Sequence, residues 1–215
     1  MAKIIKPSVK HVFPSEEYFE ISGVNYRGDT NTYRLYTKMT PPMNQDKLAE
    51  FYEKEKKEGN PRPMDSILHF SIFDSAVKSG DSDLMNFIQS GLKKYPNTLS
   101  RIIYNPSQKD KIMHNYGTSD YYSLMGDIAG EDNWIDKLKD KKSLELLTGI
   151  KDINKLNKIS LGINNTPMYI WRVNSKSSEK IECVVGFSAG VVRLFLLAGR
   201  FLSLEYPAFR VQAVD

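Results

Sequence analysis

The stretch Ile181-Glu-Cys-Val-Val-Gly-Phe-Ser-Ala-Gly-Val-Val-Arg-Leu-Phe-Leu-Leu-Ala-Gly-Arg-Phe-Leu-Ser-Leu204 is the most apolar part of the chain. It contains Gly186-Phe-Ser-Ala-Gly190, which fits the pattern G-x-S-x-G of serine hydrolases. In those enzymes a strand ends at a strained serine, a helix begins, and the glycines leave room for neighbouring backbone. The structure of this stretch therefore decides both the architecture of the protein and whether Ser188 can act as a nucleophile.

A β-hairpin is the structure we predict for this stretch. Its strands would be Ile181–Phe187 and Val191–Ala198, joined by the loop Ser188-Ala189-Gly190 with glycine available for a positive φ. A serine hydrolase built on Ser188 is the alternative, and it would need a base to take the hydroxyl proton. In hydrolases with this motif the acid and the histidine follow the serine, whereas all three histidines here precede Ser188. Ser188 is therefore a catalytic candidate without a recognisable base.

The composition predicts a soluble globular protein. Of the 215 residues, 40% are hydrophobic and 26% are charged, which are proportions that support a packed core. The length suits one domain, 1–215, with an N-terminal extension at 1–17 as an option. Charged residues interrupt the apolar stretch, so we expect no membrane-spanning helix. The single cysteine, Cys183, and an N-terminus without an apolar signal segment predict a cytoplasmic location.

Three helices are predicted in the segment at about 44–95. Each begins at a capping side chain and two end at a glycine, the caps being Asn44, Asp65 and Asp81 or Ser82 and the glycines Gly59 and Gly80. The second helix has so many apolar residues that we expect it to be buried on most sides. His69 lies within it and is predicted to be a core histidine rather than a catalytic one.

Strands are predicted on both sides of this helical segment. They are Tyr18–Val24, Thr32–Lys38, Thr98–Tyr104, Lys109–His114, Tyr121–Ile128, Thr166–Asn174 and Phe209–Val214, in addition to the hairpin. We expect the strands of the C-terminal third to form one antiparallel run that supplies the main sheet, with the helices at 65–95 covering one face. The predicted fold class is α+β, with a mostly antiparallel sheet from the C-terminal half and the N-terminal strands, covered by helices.

Residues 137–158 carry an excess of lysine over acidic residues. The candidate residues for binding nucleic acid are Trp134, Lys137, Lys139, Lys142, Lys151, Lys155 and Lys158. Such a patch predicts sequence-independent contact with phosphates, with an aromatic side chain available to stack on bases. A solvated lysine face on an amphipathic helical connector is the other interpretation of the same residues.

Part of this region resembles two known motifs. Leu147-Thr-Gly-Ile150 resembles the Gly-Ile turn of the helix-hairpin-helix element, which binds DNA backbones, although Thr148 replaces the usual proline and Lys151 the second glycine. Residues 150–165 also resemble one leucine-rich repeat, an element that needs neighbouring copies to bury its apolar face. The chain contains no second copy of that repeat, and the two resemblances imply different structures for the same residues.

Three functions remain open at this point. The first is a non-enzymatic binding or assembly module whose partner is another protein or a second copy of the chain. The second is a nucleic-acid-associated protein that uses the lysines at 137–158, and the third is a serine hydrolase that uses Ser188. His114 and the acidic residues that follow it match no metal-binding spacing, so we expect neither a metal nor a cofactor.

Overall fold

The computed structural model describes residues 7–12, 17–108, 110–114, 118–122, 141–172, 178–190 and 193–214. The fold class is α+β, as predicted, with two mostly antiparallel sheets. The strands are β1 Ser8–Val12, β2 Tyr18–Tyr26, β3 Asp29–Tyr36, β4 Arg62–Pro63, β5 Asn97–Tyr104, β6 Asp110–His114, β7 Thr118–Tyr122, β8 Met168–Arg172, β9 Ile181–Ala189, β10 Leu194–Phe201 and β11 Arg210–Val214. The helices are α1 Gln45–Glu58, α2 Ser66–Ser79, α3 Ser82–Leu92, α4 Lys141–Thr148 and α5 Ile153–Asn164.

The first sheet has the strand order β1-β2-β3-β11-β4, and all its pairs are antiparallel. Strands β2 and β3 form a hairpin whose turn residues, Arg27 and Gly28, have φ values of 55° and 97°. Two consecutive positive φ values are typical of the type I′ turn, whose twist matches that of the flanking strands. The turn also directs Arg27 towards Asp65, with 3.5 Å between the guanidinium and the carboxylate.

The second sheet has the strand order β7-β6-β5-β9-β10-β8. The predicted antiparallel run of C-terminal strands is wrong in two respects. Strand β8 pairs in parallel with β10. Strand β10 lies between β8 and β9, so β8 does not pair with β9, the next strand in the chain. Strand β11 belongs to the first sheet, where it pairs with β3. Apolar alternation shows which face of a strand is buried but does not name the neighbouring strand, so both pairings had to come from tertiary structure.

The helix boundaries agree with the predicted caps. The side chains of Asn44, Asp65 and Asp81 accept the backbone N–H groups of Lys47, Leu68 and Leu84, respectively. Gly59 and Gly80 both have φ of 72°, the left-handed conformation in which glycine ends a helix without steric cost. No helix in the described ranges is long and apolar enough to cross a membrane.

Helix α2 lies at the centre of the main core. Its Phe70 and Phe73 contact Phe187 of β9 with ring centroids 5.4 and 5.5 Å apart, and its apolar residues share one buried cluster with those of β2 and β3. Helix α1 packs on the opposite face of β5, where Leu48 and Tyr52 join Leu99 in a second cluster. Helix α2 therefore covers one face of the second sheet, as predicted for the helices at 65–95, and α1 adds cover on the other face.

Four predicted strands extend beyond the described residues. Strand Tyr121–Ile128 overlaps β7 only at 121–122, and one or two terminal residues are not described in Lys109–His114, Thr166–Asn174 and Val191–Ala198. The lysine-rich region, which one interpretation made an amphipathic helical connector, contains helices α4 and α5. The single-domain assignment stays a prediction.

Candidate functional site

Ser188 lies inside strand β9 and not in a loop. It pairs with Phe195 of β10, and the pairing continues to Ala189 opposite Leu194. The predicted hairpin is present, but its loop begins two residues later than expected, at Gly190. The strand–turn–helix backbone of a nucleophile elbow is not formed, because a strand follows the loop. The hydrolase hypothesis thus loses the local geometry that motivated it, and Ser188 is only 9% exposed.

The glycine at the start of the motif has a different role. An ideal β-carbon on Gly186 would lie 2.5 Å from Nη1 of Arg200 and 2.9 Å from the carbonyl oxygen of Pro96. Glycine is therefore needed so that the Arg200 side chain can lie against the strand. At Gly190, the second glycine, the nearest atom among the described residues would be 3.9 Å away. Close packing therefore requires glycine at position 186, whereas a β-carbon at position 190 would make only an ordinary contact with the described residues.

Arg200 is a buried cation held by neutral oxygens. Nη1 donates hydrogen bonds to the carbonyl oxygen of Tyr95 at 2.6 Å and to Oδ1 of Asn97 at 3.0 Å, and Nη2 donates to the carbonyl oxygen of Phe187. Burial lowers the pKa of Arg200 to about 10, so the guanidinium is charged at neutral pH. The group joins β10 to the segment that precedes β5 and to β9.

The ring of half-buried Tyr206 lies beside this cation and next to exposed Tyr95, and two further exposed apolar side chains, Phe201 and Leu204, follow Arg200 closely in the chain. We call these four residues the aromatic surface: Tyr95, Phe201, Leu204 and Tyr206. Phe201 is 67% exposed, Tyr95 49% and Leu204 40%. The ring of Tyr206 lies 4.7 Å from the Arg200 guanidinium carbon and 6.1 Å from the ring of Tyr95. The backbone N–H of Leu204 donates to the carbonyl oxygen of Phe201. This set contains three of the four large hydrophobic side chains that are exposed in the described residues.

The backbone of Tyr95 has an unusual conformation. Its φ is 59°, in the left-handed region that a bulky residue rarely adopts. The bond from Arg200 to its carbonyl oxygen holds the backbone in place while the ring points outward. Non-glycine residues held in such a conformation cluster at functional sites, and Tyr95 combines this strain with exposure.

The described lysines of the predicted nucleic-acid patch are mostly paired with carboxylates. Lys155 Nζ lies 2.9 Å from Asp74, and Lys151 Nζ and Lys142 Nζ lie 3.1 and 4.0 Å from Glu145. Lys158 is exposed, whereas Trp134, Lys137 and Lys139 lie outside the described residues. Tyr169, a further aromatic near the patch, is buried. The ion pairs reduce the positive field that the lysine count alone suggested.

The Gly149 turn has the helix–turn–helix arrangement that one resemblance implied. Helices α4 and α5 are joined through Gly149, whose φ is 73°, and Ile150. The leucine-rich-repeat resemblance is not supported, since residues 153–164 form one helix. A β-carbon on Gly149 would lie 2.8 Å from Cγ2 of Ile67, so the turn packs against α2. The requirement for glycine is therefore explained by packing.

A serine–histidine pair occurs elsewhere, in the core. Ser100 Oγ lies 2.8 Å from Nδ1 of His114, and Nε2 of His114 lies 2.8 Å from the carbonyl oxygen of Leu146. A carbonyl only accepts, so Nε2 carries the proton and Nδ1 accepts from Ser100. The backbone N–H of Ser66 donates to Ser100 Oγ at 2.9 Å. All three side chains are fully buried, so this network links α2, β5 and β6 to the end of α4 without facing solvent.

A groove of about 420 Å³ lies between α3 and the first sheet, and we call it the α3 groove. Its helix wall includes Asp83, Asn86, Ser90 and Lys94, and its sheet wall includes His11, Glu17 and Thr37. Phe19 and Phe87 provide apolar lining, with ring centroids 5.6 Å apart. On the sheet wall, Glu17 is 2.9 Å from His11 Nε2 and accepts from Thr37 Oγ1 at 3.2 Å. The polar groups of this wall thus bond to one another.

No protein-family model, curated protein or solved structure matches this chain. The aromatic surface was missed in the sequence, although a signal for it existed. In β10, Leu194, Leu196, Ala198 and Arg200 are buried, while the residues between them are half-buried or exposed. Reading that alternation would have placed Phe201 on the outer face, opposite to Arg200.

Proposed function

We propose that this protein is a non-enzymatic binding module whose partner is another protein, and that the aromatic surface is where the partner binds. The observation that carries the proposal is that three exposed apolar side chains, Tyr95, Phe201 and Leu204, occur close to the Arg200–Tyr206 contact in space or in the chain. Aromatic side chains are enriched in protein interfaces, and exposed apolar clusters mark sites of association.

The rigidity of this surface supports the proposal. Arg200 connects the backbone at Tyr95 to β9 and contacts the ring of Tyr206. Side chains that are fixed before binding lose less conformational entropy when a partner arrives. The part of the surface formed by Tyr95 and Tyr206 is therefore held in place before a partner binds.

Photocrosslinking in cells tests the proposal. A benzophenone amino acid at position 201 is expected to give one discrete adduct with a partner, and the same group at exposed Lys57 of α1 serves as the control. Leu204→Asp should abolish the adduct, because a charge then enters the apolar contact. The adduct mass distinguishes a second copy of this chain from a different protein. An absent adduct, or one equally strong from position 57 or in Leu204→Asp, contradicts the proposal.

Binding of nucleic acid through the described lysines has less support than binding of a protein. Lys151 and Lys155 form ion pairs with carboxylates, with N–O distances of 3.1 and 2.9 Å. The Gly149 turn between α4 and α5 is the one feature in its favour.

A serine hydrolase is tested by labelling with an active-site serine probe, which should be lost in Ser188→Ala. We expect no labelling of the folded protein, because Ser188 is paired within the sheet.

A further inference from the structure

We propose that the α3 groove binds an extended segment of the partner protein that is positively charged near Asp83 and negatively charged near Lys94. This inference rests on the proposed function, because it names the chemistry of the partner. The groove adjoins the aromatic surface, since Tyr95 follows Lys94 directly in the chain. A partner could therefore place one segment in the groove and apolar side chains on the aromatic surface.

The unpaired charges of the groove lie at its two ends. Asp83 and Lys94 line the groove, and neither forms an ion pair with any residue that the structure describes. They are separated by most of α3, which rises about 1.5 Å per residue, so the ends are roughly 16 Å apart. An extended chain advances about 3.3 Å per residue, so about five residues span this length. A small ion could reach only one end.

The helix wall presents hydrogen-bonding groups along one face. Asp83, Asn86, Phe87 and Ser90 of α3 line the groove with the spacing that places side chains on one side of a helix. Lys94 follows two residues after the end of α3. The side-chain polar atoms of Asn86 and Ser90 have no hydrogen-bond partner among the described residues. An extended backbone, with its alternating donors and acceptors, suits such a row.

The apolar lining of the groove favours an apolar side chain in the middle of the bound segment. Phe19 and Phe87 lie between the charged ends, and His11 stacks on Phe19 with 4.2 Å between ring centroids. At Gly91 a β-carbon would lie 2.3 Å from Cζ of Phe209. A glycine at this position lets the helix pack closely on that ring and adds no side chain to the groove. We expect a large apolar side chain of the bound segment to lie against half-buried Phe87.

The test uses the full chain labelled with ¹⁵N and pentapeptides with blocked termini, so that only side chains carry charge. The peptide KAFAE places opposite charges at its ends, and AKFEA has the same composition with the charges closer together. We expect KAFAE to shift the amide signals of groove residues and to bind more tightly than AKFEA. Equal binding of the two peptides, or no binding of KAFAE, overturns the inference.

Matched variants locate the contact. Lys94→Met should weaken KAFAE binding by about two- to fivefold, the usual effect of losing one exposed ion pair. Lys93→Met removes a neighbouring exposed lysine outside the groove and should leave binding unchanged. Ser90→Trp should block the groove while leaving the fold intact, since Ser90 is exposed. Equal effects of the two lysine variants contradict the inference.

The two proposals can fail separately. Phe201→Ser should leave KAFAE binding intact while it abolishes association through the aromatic surface. A crosslink from position 201 in the absence of KAFAE binding would disprove the groove inference alone. Peptide binding without any crosslink from position 201 would disprove the role of the aromatic surface alone.

Discussion

The guanidinium of Arg200 occupies the space where a β-carbon on residue 186 would lie. The distance from that ideal β-carbon to Nη1 would be 2.5 Å, which is shorter than real contacts allow. The glycine that suggested a nucleophile elbow is therefore required by a buried arginine on the neighbouring strand. This relationship leads directly to a prediction about the motif.

Gly186→Ala should lower the free energy of unfolding by about 1–3 kcal/mol, because overpacking forces the arginine and the Pro96 carbonyl apart. Gly190→Ala is the matched control, since its β-carbon would meet only the Arg193 carbonyl oxygen at 3.9 Å. That control should be nearly neutral. Urea denaturation of both variants measures the difference, and equal losses of stability would contradict this role for Gly186.

The stability of the protein should fall as the pH drops from about 6.5 towards 4, in part because of His69. Burial among aromatic rings lowers the pKa of His69 to about 4 from its ordinary value. The unfolded chain then takes up the proton first, so protonation favours unfolding over this window. The contribution is on the order of 3 kcal/mol once both states are protonated. His69→Leu should show a shallower dependence of the unfolding free energy on pH, and parallel curves would disprove this assignment.

Ser100→Ala should destabilise the core by roughly 2–3 kcal/mol, because it leaves the Ser66 N–H and His114 Nδ1 without their partner in a buried site. Ser71→Ala serves as the control. Ser71 Oγ donates only to the carbonyl oxygen of Ile67 within its own helix, so its loss should be small. Thermal or urea unfolding of the two variants gives the comparison, and a Ser100 effect no larger than the Ser71 effect would argue against a cooperative network.

Tyr26 and Asp65 should show a coupling free energy of about 1 kcal/mol in a double-mutant cycle with Tyr26→Phe and Asp65→Asn. The Tyr26 hydroxyl donates to Asp65 Oδ2 at 2.7 Å, while Oδ1 caps α2, and asparagine keeps the cap. Hydrogen bonds to charged groups are stronger than neutral ones. Burial and the nearby carboxylate also raise the pKa of Tyr26 far above its ordinary range. Tyr36→Phe is the control, because it removes a hydrogen bond to the neutral side chain of Gln212. Strictly additive effects of Tyr26→Phe and Asp65→Asn on the free energy of unfolding would contradict the pairing.

Replacing Lys142, Lys151, Lys155 and Lys158 by methionine should leave oligonucleotide binding unchanged. Three of these lysines already lie within 4.0 Å of a carboxylate, which offsets their attraction for phosphate. Fluorescence anisotropy of single-stranded and duplex oligonucleotides across a salt series measures this. A log–log decrease of affinity with salt that the substitutions remove would instead favour nucleic-acid binding.

Local features of the fold were predictable because neighbouring residues determine them. The caps at Asn44, Asp65 and Asp81 follow from side chains that reach N–H groups three residues ahead. The hairpin of β9 and β10 follows from the apolar residues on either side of Gly190, although its loop was placed two residues too early. Ser188 and Ala189 have β-compatible side chains and extend the strand, since turn propensity yields to an available partner strand.

The sequence by itself determined the three helices at about 44–95, most strands and the α+β class, since caps, periodicity and turn residues act over a few positions. Only the tertiary structure decided that β11 joins the first sheet, that β8 runs parallel to β10, and that Tyr95 meets Tyr206. Those contacts join residues that are far apart in the chain, and alternation of apolar residues is the same whichever strand is the partner. For the same reason Gly186 carried a catalytic signature in the sequence, while its actual neighbour, Arg200, became visible only after the chain had folded.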